Sequence, residues 1–189
     1  MKRIVIFSSG SGSNAENIIN YFKNSREILV THVLSNNKKA KVFERCKRLK
    51  TEASLFSKND FYENDTVLRF LLAKADFIVL AGFLWKMPIN IIDAFPNRII
   101  NIHPALLPKF GGKGMYGMNV HKAVKEHNEK ETGITIHYVN ENYDEGTTIF
   151  QAKTEISPND TPEQIANKVH LLEYKYFPEI IKNTLLENE

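Results

Sequence analysis

An amide and an imidazole stand two residues apart at the end of an apolar run, Ile99-Ile100-Asn101-Ile102-His103, and Pro104, a leucine pair and Pro108 follow. Residues i and i+2 of a strand share a face, so the spacing predicts that Asn101 and His103 project to the same side. The Asn side chain offers an N–H₂ donor of the kind that stabilises a developing oxyanion. The imidazole titrates near neutrality, with an unperturbed pKa of about 6.5. Pro104 carries no N–H to continue a ladder, and it restrains His103 to extended geometry. Further along, the polar loop "NENYDEG" carries Asp144 two residues before Gly146. An aspartate brought beside His103 would favour the imidazolium. His137, in "TIHYV", points opposite to Ile136 and Tyr138, either toward the same site or into packing. Each residue also has a plainer reading. A lone strand-end histidine is often a structural hydrogen bonder, and an aspartate near a glycine turn is often turn chemistry.

A second group with chemistry lies near the N-terminus. In "SSGSGSNA", Gly10, Gly12 and Ala15 match the G-x-G-x-x-[GA] fingerprint. Glycines there let the backbone approach an anion, and the following helix presents free N–H groups and the positive end of its dipole. The fingerprint also calls for an acid about 20 residues on, to hold a ribose. The second apolar run ends instead in "LSNN". The pattern therefore supports phosphate at a helix N-terminus more than a dinucleotide, with Ser13 and Asn14 as extra donors. The alternative is a tight strand–helix turn with Asn14 as N-cap. There is no P-loop lysine, which argues against nucleoside triphosphate hydrolysis.

Both groups need a scaffold, and the chain alternates strand and helix signals. "RIVIFSS", "EILVTHVLS", "EASLF", "FIVLAGF" and "RIINIH" read as strands. "NAENIINYF", "KAKVFERCKRLK", "DFYENDTVLRFLLAKA" (opened by Asp60) and "PINIIDAF" (with Pro88 at its first helical position) read as helices. Such alternation implies a parallel, doubly wound sheet, which binds ligands at the carboxyl ends of its strands. The second half changes character. After the glycine-rich "FGGKGMYG" comes a helix in "NVHKAVKEHN", then "TGITIHYV" and "TTIFQAKTEI", two strands in a hairpin-type connection that makes the sheet mixed. "NDTPEQIANKVHLLEYKYF" closes the pattern as a long helix, capped by Asp160 or Thr161, with Pro162 in its first turn and Ile165, Val169, Leu172 and Tyr176 as its apolar stripe. The expected fold is α/β: a doubly wound, mostly parallel but mixed sheet with helices on both faces, Rossmann-like.

Composition narrows the function classes. With 189 residues, 42% hydrophobic and 25% charged, the chain reads as one ordinary globular domain. A net charge of +3 with no long basic run argues against a nucleic-acid binder and suits a small anionic substrate. Cys46 is the only cysteine, so an intrachain disulfide and a Cys-rich metal site are both excluded; it reads as a helix-face thiol. No apolar run approaches membrane-spanning length and no secretory h-region opens the chain, which predicts a cytoplasmic protein with no membrane partner.

Taken together and in order, "SSGSGSN", "VLAGF", "INIHPALLPKF", "GITIHYV", "DEG" and "LEYKYFP" resemble the folate-dependent formyltransferases along nearly the whole chain. The N-x-H-P-x-L-L-P block with its later Asp marks that family generally. The "GSGSN" turn and the compact length narrow the resemblance to the branch acting on glycinamide ribonucleotide in purine biosynthesis. The similar methionyl-tRNA formyltransferases carry an extra C-terminal domain, and formyltetrahydrofolate deformylases an extra N-terminal one.

The resemblance implies that the amine of glycinamide ribonucleotide attacks the formyl carbon of 10-formyltetrahydrofolate, the co-substrate, through a tetrahedral intermediate, with no metal. Another folate-dependent formyl transfer, or hydrolysis of the formylfolate, is the alternative. By resemblance, Asn101 and His103 stabilise the oxyanion, and Asp144 holds His103 protonated and helps move protons. Gly12, Ser13 and Asn14 take the phosphate, and Glu173 takes the ribose hydroxyls. The folate lies against Leu84, Trp85, Lys86 and Met87, against Asn101, and against Val139, Asn140, Glu141, Asn142, Tyr143 and Asp144; His137, if it faces the site, stands behind the catalytic group. Residues 1–100 then form a phosphate-binding half and 101–189 a catalytic and folate-binding half of one domain, in a monomer or homodimer. Two stretches depart from the family pattern. "KFGGKGMYGMNVH" is longer and richer in glycine, and "SKNDFYEN" lacks the arginine that some members place near the folate tail.

Overall fold

A computed structural model describes residues 1–187; the last two positions of the expected domain, 188 and 189, lie outside the described residues. Seven strands form one sheet in the order β3-β2-β1-β4-β5-β6-β7. They are β1 (Lys2–Phe7), β2 (Ile28–Ser35), β3 (Ala53–Leu55), β4 (Phe77–Leu80), β5 (Ile99–His103), β6 (Glu131–Tyr138) and β7 (Thr148–Glu155). The first five pair in parallel, and β6 and β7 run antiparallel at one edge. The sheet is thus mixed and Rossmann-like, as the alternating pattern predicts.

Alternation along the strands builds two cores. Ile4, Ile6, Val33, Val79, Ile100 and Ile136 face one side, under α1 (Ser13–Phe22), α2 (Val42–Leu49) and α6 (Pro162–Glu187). Val5, Phe7, Leu34, Ile78, Leu80 and Ile99 face the other, under α3 (Thr66–Lys74), α4 (Ile89–Ala94) and a short π-helical turn at Asn59–Glu63. A strand buried on both faces has to be apolar at successive positions, which is why "RIVIF" and "FIVL" are continuous runs. α5 (Met118–Glu126) packs separately, with Val120 and Val124 against Ala105, Ile156 and Ile165. No helix among the described residues is long and apolar enough to cross a membrane.

Three element boundaries differ from the sequence pattern. The helix expected over "DFYENDTVLRFLLAKA" is split, because Asn64 is extended (φ −132°, ψ 162°). Its Oδ1 accepts the Thr66 N–H at 2.9 Å and starts α3 afresh. Asp60 does not open that helix from outside; it lies within the π turn, and its Oδ2 accepts the Ser57 N–H at 2.9 Å. Pro88 is the N-cap of α4, with extended backbone, rather than its first helical residue. Finally, α6 does not stop at Phe177 but runs through Pro178 to Glu187. Phe177, Ile181 and Leu185, all fully buried, carry its apolar stripe on into the core. Proline inside a helix costs about 3 kcal/mol, and burying three large side chains, at roughly 1.5–3 kcal/mol each, exceeds that. At its start Thr161 is the cap. Its N–H donates to Gln164 Oε1 at 2.8 Å and its Oγ1 accepts the Gln164 N–H at 3.3 Å, a reciprocal capping box.

Candidate active site

Chain order reverses across the β1–β4 pair, since β2 and β3 lie to one side and β5 to the other. Open α/β sheets bind ligands at such a switch point, outside the carboxyl ends of the strands. A cavity of about 640 Å³ occupies that place, lined by residues following β1, β4 and β5, by the glycine-rich segment 112–117, by the loop after β6 and by α6. That volume lies within the range of small-molecule sites.

The catalytic candidates converge at its centre. Asn101 and His103 share one face of β5, and the antiparallel register sets Asn101 opposite His137 and His103 opposite Thr135. Asn101 Nδ2 donates to His137 Nε2 at 3.1 Å and lies 3.5 Å from Asp144 Oδ1. His137 Nδ1 lies 2.8 Å from the Tyr138 carbonyl, and its Nε2 stands 3.6 Å from Asp144 Oδ1. His137 therefore faces the site. Asp144 arrives on the loop after β6 in the left-handed region (φ 57°). That loop folds back tightly: a Cβ on Gly146 would lie 1.7 Å from the Tyr138 carbonyl oxygen. Asp144 Oδ2 accepts the Gly112 N–H at 2.9 Å and stands 3.5 Å from His103 Nδ1. Thr135 fixes the turn after His103, accepting the Leu107 N–H at 2.9 Å and donating to the Ala105 carbonyl at 2.7 Å.

His103 departs from expectation in its charge. Its Nε2–H donates to the Phe110 carbonyl at 2.7 Å, and its side chain is almost fully buried. Burial lowers its pKa below 6.5 and outweighs the opposing pull of Asp144, so at neutral pH the ring is neutral rather than held protonated. Burial pushes Asp144 upward, but the His137 contact, the charge His103 acquires at low pH and the Gly112 N–H together leave its carboxyl below the usual range. The resting centre at neutral pH is a carboxylate beside a neutral imidazole.

The glycine turn forms the other end. Gly12 is the N-cap of α1 in the left-handed region (φ 72°), and a Cβ there would lie 2.4 Å from Val42 Cγ2. Asn14 is not the N-cap; it sits inside α1, where its Nδ2 donates to Glu173 Oε2 at 2.9 Å. Arg45 Nε donates to the Ser11 carbonyl at 2.8 Å, and its guanidinium pairs with Glu16, which ties the turn to α2. Where a dinucleotide site would carry its ribose acid, Asn37 instead donates to the Ser9 carbonyl at 3.1 Å. Glu173 is 5% exposed, so it is no solvent-facing helix carboxylate.

Of the residues expected against the folate, Leu84, Trp85, Lys86, Met87, Asn101, Val139, Asn140, Asn142, Tyr143 and Asp144 line the cavity. Glu141 is exposed and lies outside the lining. Phe56, Phe61 and Phe83 back Trp85 in an aromatic cluster with ring centroids 5.1–6.4 Å apart. Two lining histidines escaped the sequence reading, His121 on α5 and His170 on α6. His170 Nδ1–H donates to Glu173 Oε2 at 2.8 Å, and that bond raises its pKa above 6.5. The i, i+3 spacing of His170 and Glu173 on one helix was the available signal. Cys46 is buried, and burial pushes its thiol up to about 11. Among the described residues no group of three or more His, Cys, Asp or Glu side chains could hold a metal ion.

Fold and site thus define a Rossmann-like α/β protein with an Asn–His–Asp centre and a left-handed glycine turn at a helix N-terminus facing one cavity at the strand ends. The chain belongs to the formyl transferase family, whose profile matches residues 2–181. It is 39% identical to the chloroplastic phosphoribosylglycinamide formyltransferase of Arabidopsis thaliana, over 95% of this chain and 64% of that protein. It is 33% identical to the phosphoribosylglycinamide formyltransferase of Bacillus subtilis, over 98% of this chain and 95% of that protein. The solved phosphoribosylglycinamide formyltransferase of Bacillus halodurans superposes with a TM-score of 0.87 at 34% identity, covering 100% of this chain and 97% of that one. The chain spans less than two thirds of the length of the two plant relatives, 64% for Arabidopsis and 60% for Vigna unguiculata.

Proposed function

We propose that the protein transfers the formyl group of 10-formyltetrahydrofolate to the amine of glycinamide ribonucleotide, as a one-carbon transferase of purine biosynthesis acting in the cytoplasm. The observation that carries this reading is the shared cavity. An Asn–His–Asp set suited to acyl transfer faces it together with a left-handed glycine turn at a helix N-terminus suited to a phosphate. The wall of Leu84, Trp85, Met87 and Val139 suits a flat pterin ring, which backbone groups of 84–87 and 139–144 would orient. N–H groups at the start of α1, from Gly12 through Asn14, would hold the phosphate. Two acceptors, the Glu173 carboxylate and the buried, unpaired Asn14 Oδ1, suit the hydroxyl donors of a ribose. Residues 1–100 and 101–189 would act as one domain, since Leu84 to Met87 and Glu173 each reach across to the other half's ligand.

Attack of the amine on the formyl carbon puts negative charge on the formyl oxygen and positive charge on the attacking nitrogen. Asn101 Nδ2, already aimed by His137 Nε2, donates to that oxygen. The nitrogen gives its proton to the neutral His103 and ionised Asp144 pair, directly or through water. Asp144 then holds the imidazolium that forms, which is the role left to it once His103 starts neutral. As the carbon–nitrogen bond to the folate breaks, the same proton passes to the folate nitrogen, and the centre returns to its resting charge. No covalent enzyme intermediate is required.

Purified protein mixed with both substrates and followed by folate absorbance tests the reading: loss of the formyl group should depend on glycinamide ribonucleotide. Transfer to a different amine alone would overturn the substrate assignment, and formate release without any acceptor would favour hydrolysis.

A further inference from the structure

Four buried side-chain atoms among the described residues have no hydrogen-bond partner: Asn14 Oδ1, Asn36 Oδ1, His121 Nδ1 and Thr132 Oγ1. Only Asn14 and His121 line the cavity. An unpaired polar atom away from water costs about 1–3 kcal/mol, so a residue of a ligand-binding wall that keeps such an atom buried and unpaired marks a place where a ligand would supply the partner. His121 is 2% exposed, on the second turn of α5, and its ring stands edge-on to His170 at 6.4 Å.

We propose that His121 contacts the ribonucleotide, its Nδ1 forming a hydrogen bond with the sugar–amide portion of the bound molecule. The proposal rests on the function proposed above. The place follows from the neighbours: His121 stands beside His170, which bonds Glu173, and all three line the same cavity as His103. It therefore shares the wall that holds both the ribose acceptors and the reacting centre, along which the segment linking phosphate to amine must pass. Burial, then the charge of His170, lowers its pKa to about 4, so the ring is neutral at pH 7. A neutral imidazole suits a hydroxyl or amide, either as donor or as acceptor, and not the dianionic phosphate, for which the α1 N-terminus is placed. No hydrogen bond holds Nδ1 among the described residues, so turning the ring to present it to the cavity breaks no existing bond.

Calorimetric titration of glycinamide ribonucleotide into the wild type, His121→Phe and His121→Asn tests the proposal. The phenyl ring keeps the volume and removes both nitrogens; the amide keeps a polar atom near Nδ1. His121→Phe should bind about tenfold more weakly, the cost of one hydrogen bond. His121→Asn should recover most of that loss, and folate affinity should be unchanged in both. If the wild type binds and His121→Phe binds equally well, the proposal falls and the function stands. If the wild type does not bind glycinamide ribonucleotide at all, the proposed function falls and takes this inference with it. Nitrogen-15 NMR of the wild type serves independently of how the variants fold: Nδ1 of His121 should shift on saturation with ribonucleotide, and an unmoved resonance would overturn the contact.

Discussion

At His103, burial and charge pull in opposite directions, and burial wins. The ring is 3% exposed and its pKa lies below 6.5 despite a carboxylate 3.5 Å away. If the neutral ring accepts the proton, kcat/KM should rise with pH through an apparent pKa below 6.5 and be flat from pH 7 to 8. A profile that instead falls through a pKa above 7 would mean that a preformed imidazolium is required. Asn101 and His103 were legible in the sequence because strand alternation is a hard geometric rule and proline terminates the ladder. The electrostatic state of His103 was not, because it depends on how much of the chain closes over the ring. His121 and His170 were hidden for a similar reason. Neither sits in a motif: His170 meets Glu173 one turn along α6, and only the packing of α5 against α6 brings His121 beside them. The packing of α1 against α6 explains how Glu173, an unremarkable helix carboxylate by pattern, comes to lie buried between Asn14 and His170.

Among the elements, the turn from β1 into α1 is the most constrained. Gly12 combines a left-handed backbone with a contact that leaves no room for a Cβ beside Val42. Gly12→Ala should therefore lower stability by about 1–3 kcal/mol, read as a shift in the urea midpoint, and should weaken ribonucleotide binding with little effect on folate. A variant with wild-type midpoint and affinity would contradict the account of this turn. The strand–helix alternation was legible because periods of 2 and 3.6 differ plainly over such runs. The split at Asn64 was not, since the "FYENDTV" segment keeps helical spacing while a local Asn64–Thr66 side-chain bond interrupts it. Nor was the passage of α6 through Pro178, where the residues that outweigh the proline, Phe177, Ile181 and Leu185, find their partners in strands far away in sequence.

For the whole molecule, the buried histidines should make the fold acid-sensitive. His121 falls from 6.5 to about 4 on folding, and His32 and His103 fall as well, each through desolvation first. A histidine with a depressed native pKa binds fewer protons folded than unfolded, so stability is full above pH 6.5 and declines as pH drops toward the native value. His121 alone should cost about 2 kcal/mol between pH 7 and pH 5. His170, raised by Glu173, acts in the opposite sense, but its side chain is 44% exposed and screened. Urea unfolding at the two pH values checks this; equal stability would contradict the assignment of neutral buried rings. The sheet that buries these groups also brings three distant segments, around Gly12, Asn101 and Asp144, to one cavity. The central claim is that they form a single formyl-transfer site. The direct measurement supplies 10-formyltetrahydrofolate carrying a carbon-13 formyl group and finds the label by mass spectrometry. The wild type should place it on glycinamide ribonucleotide, and His103→Ala and Asp144→Asn should each slow that transfer by about 100-fold or more while remaining folded. Label released as formate, or either variant transferring near the wild-type rate, would contradict the account.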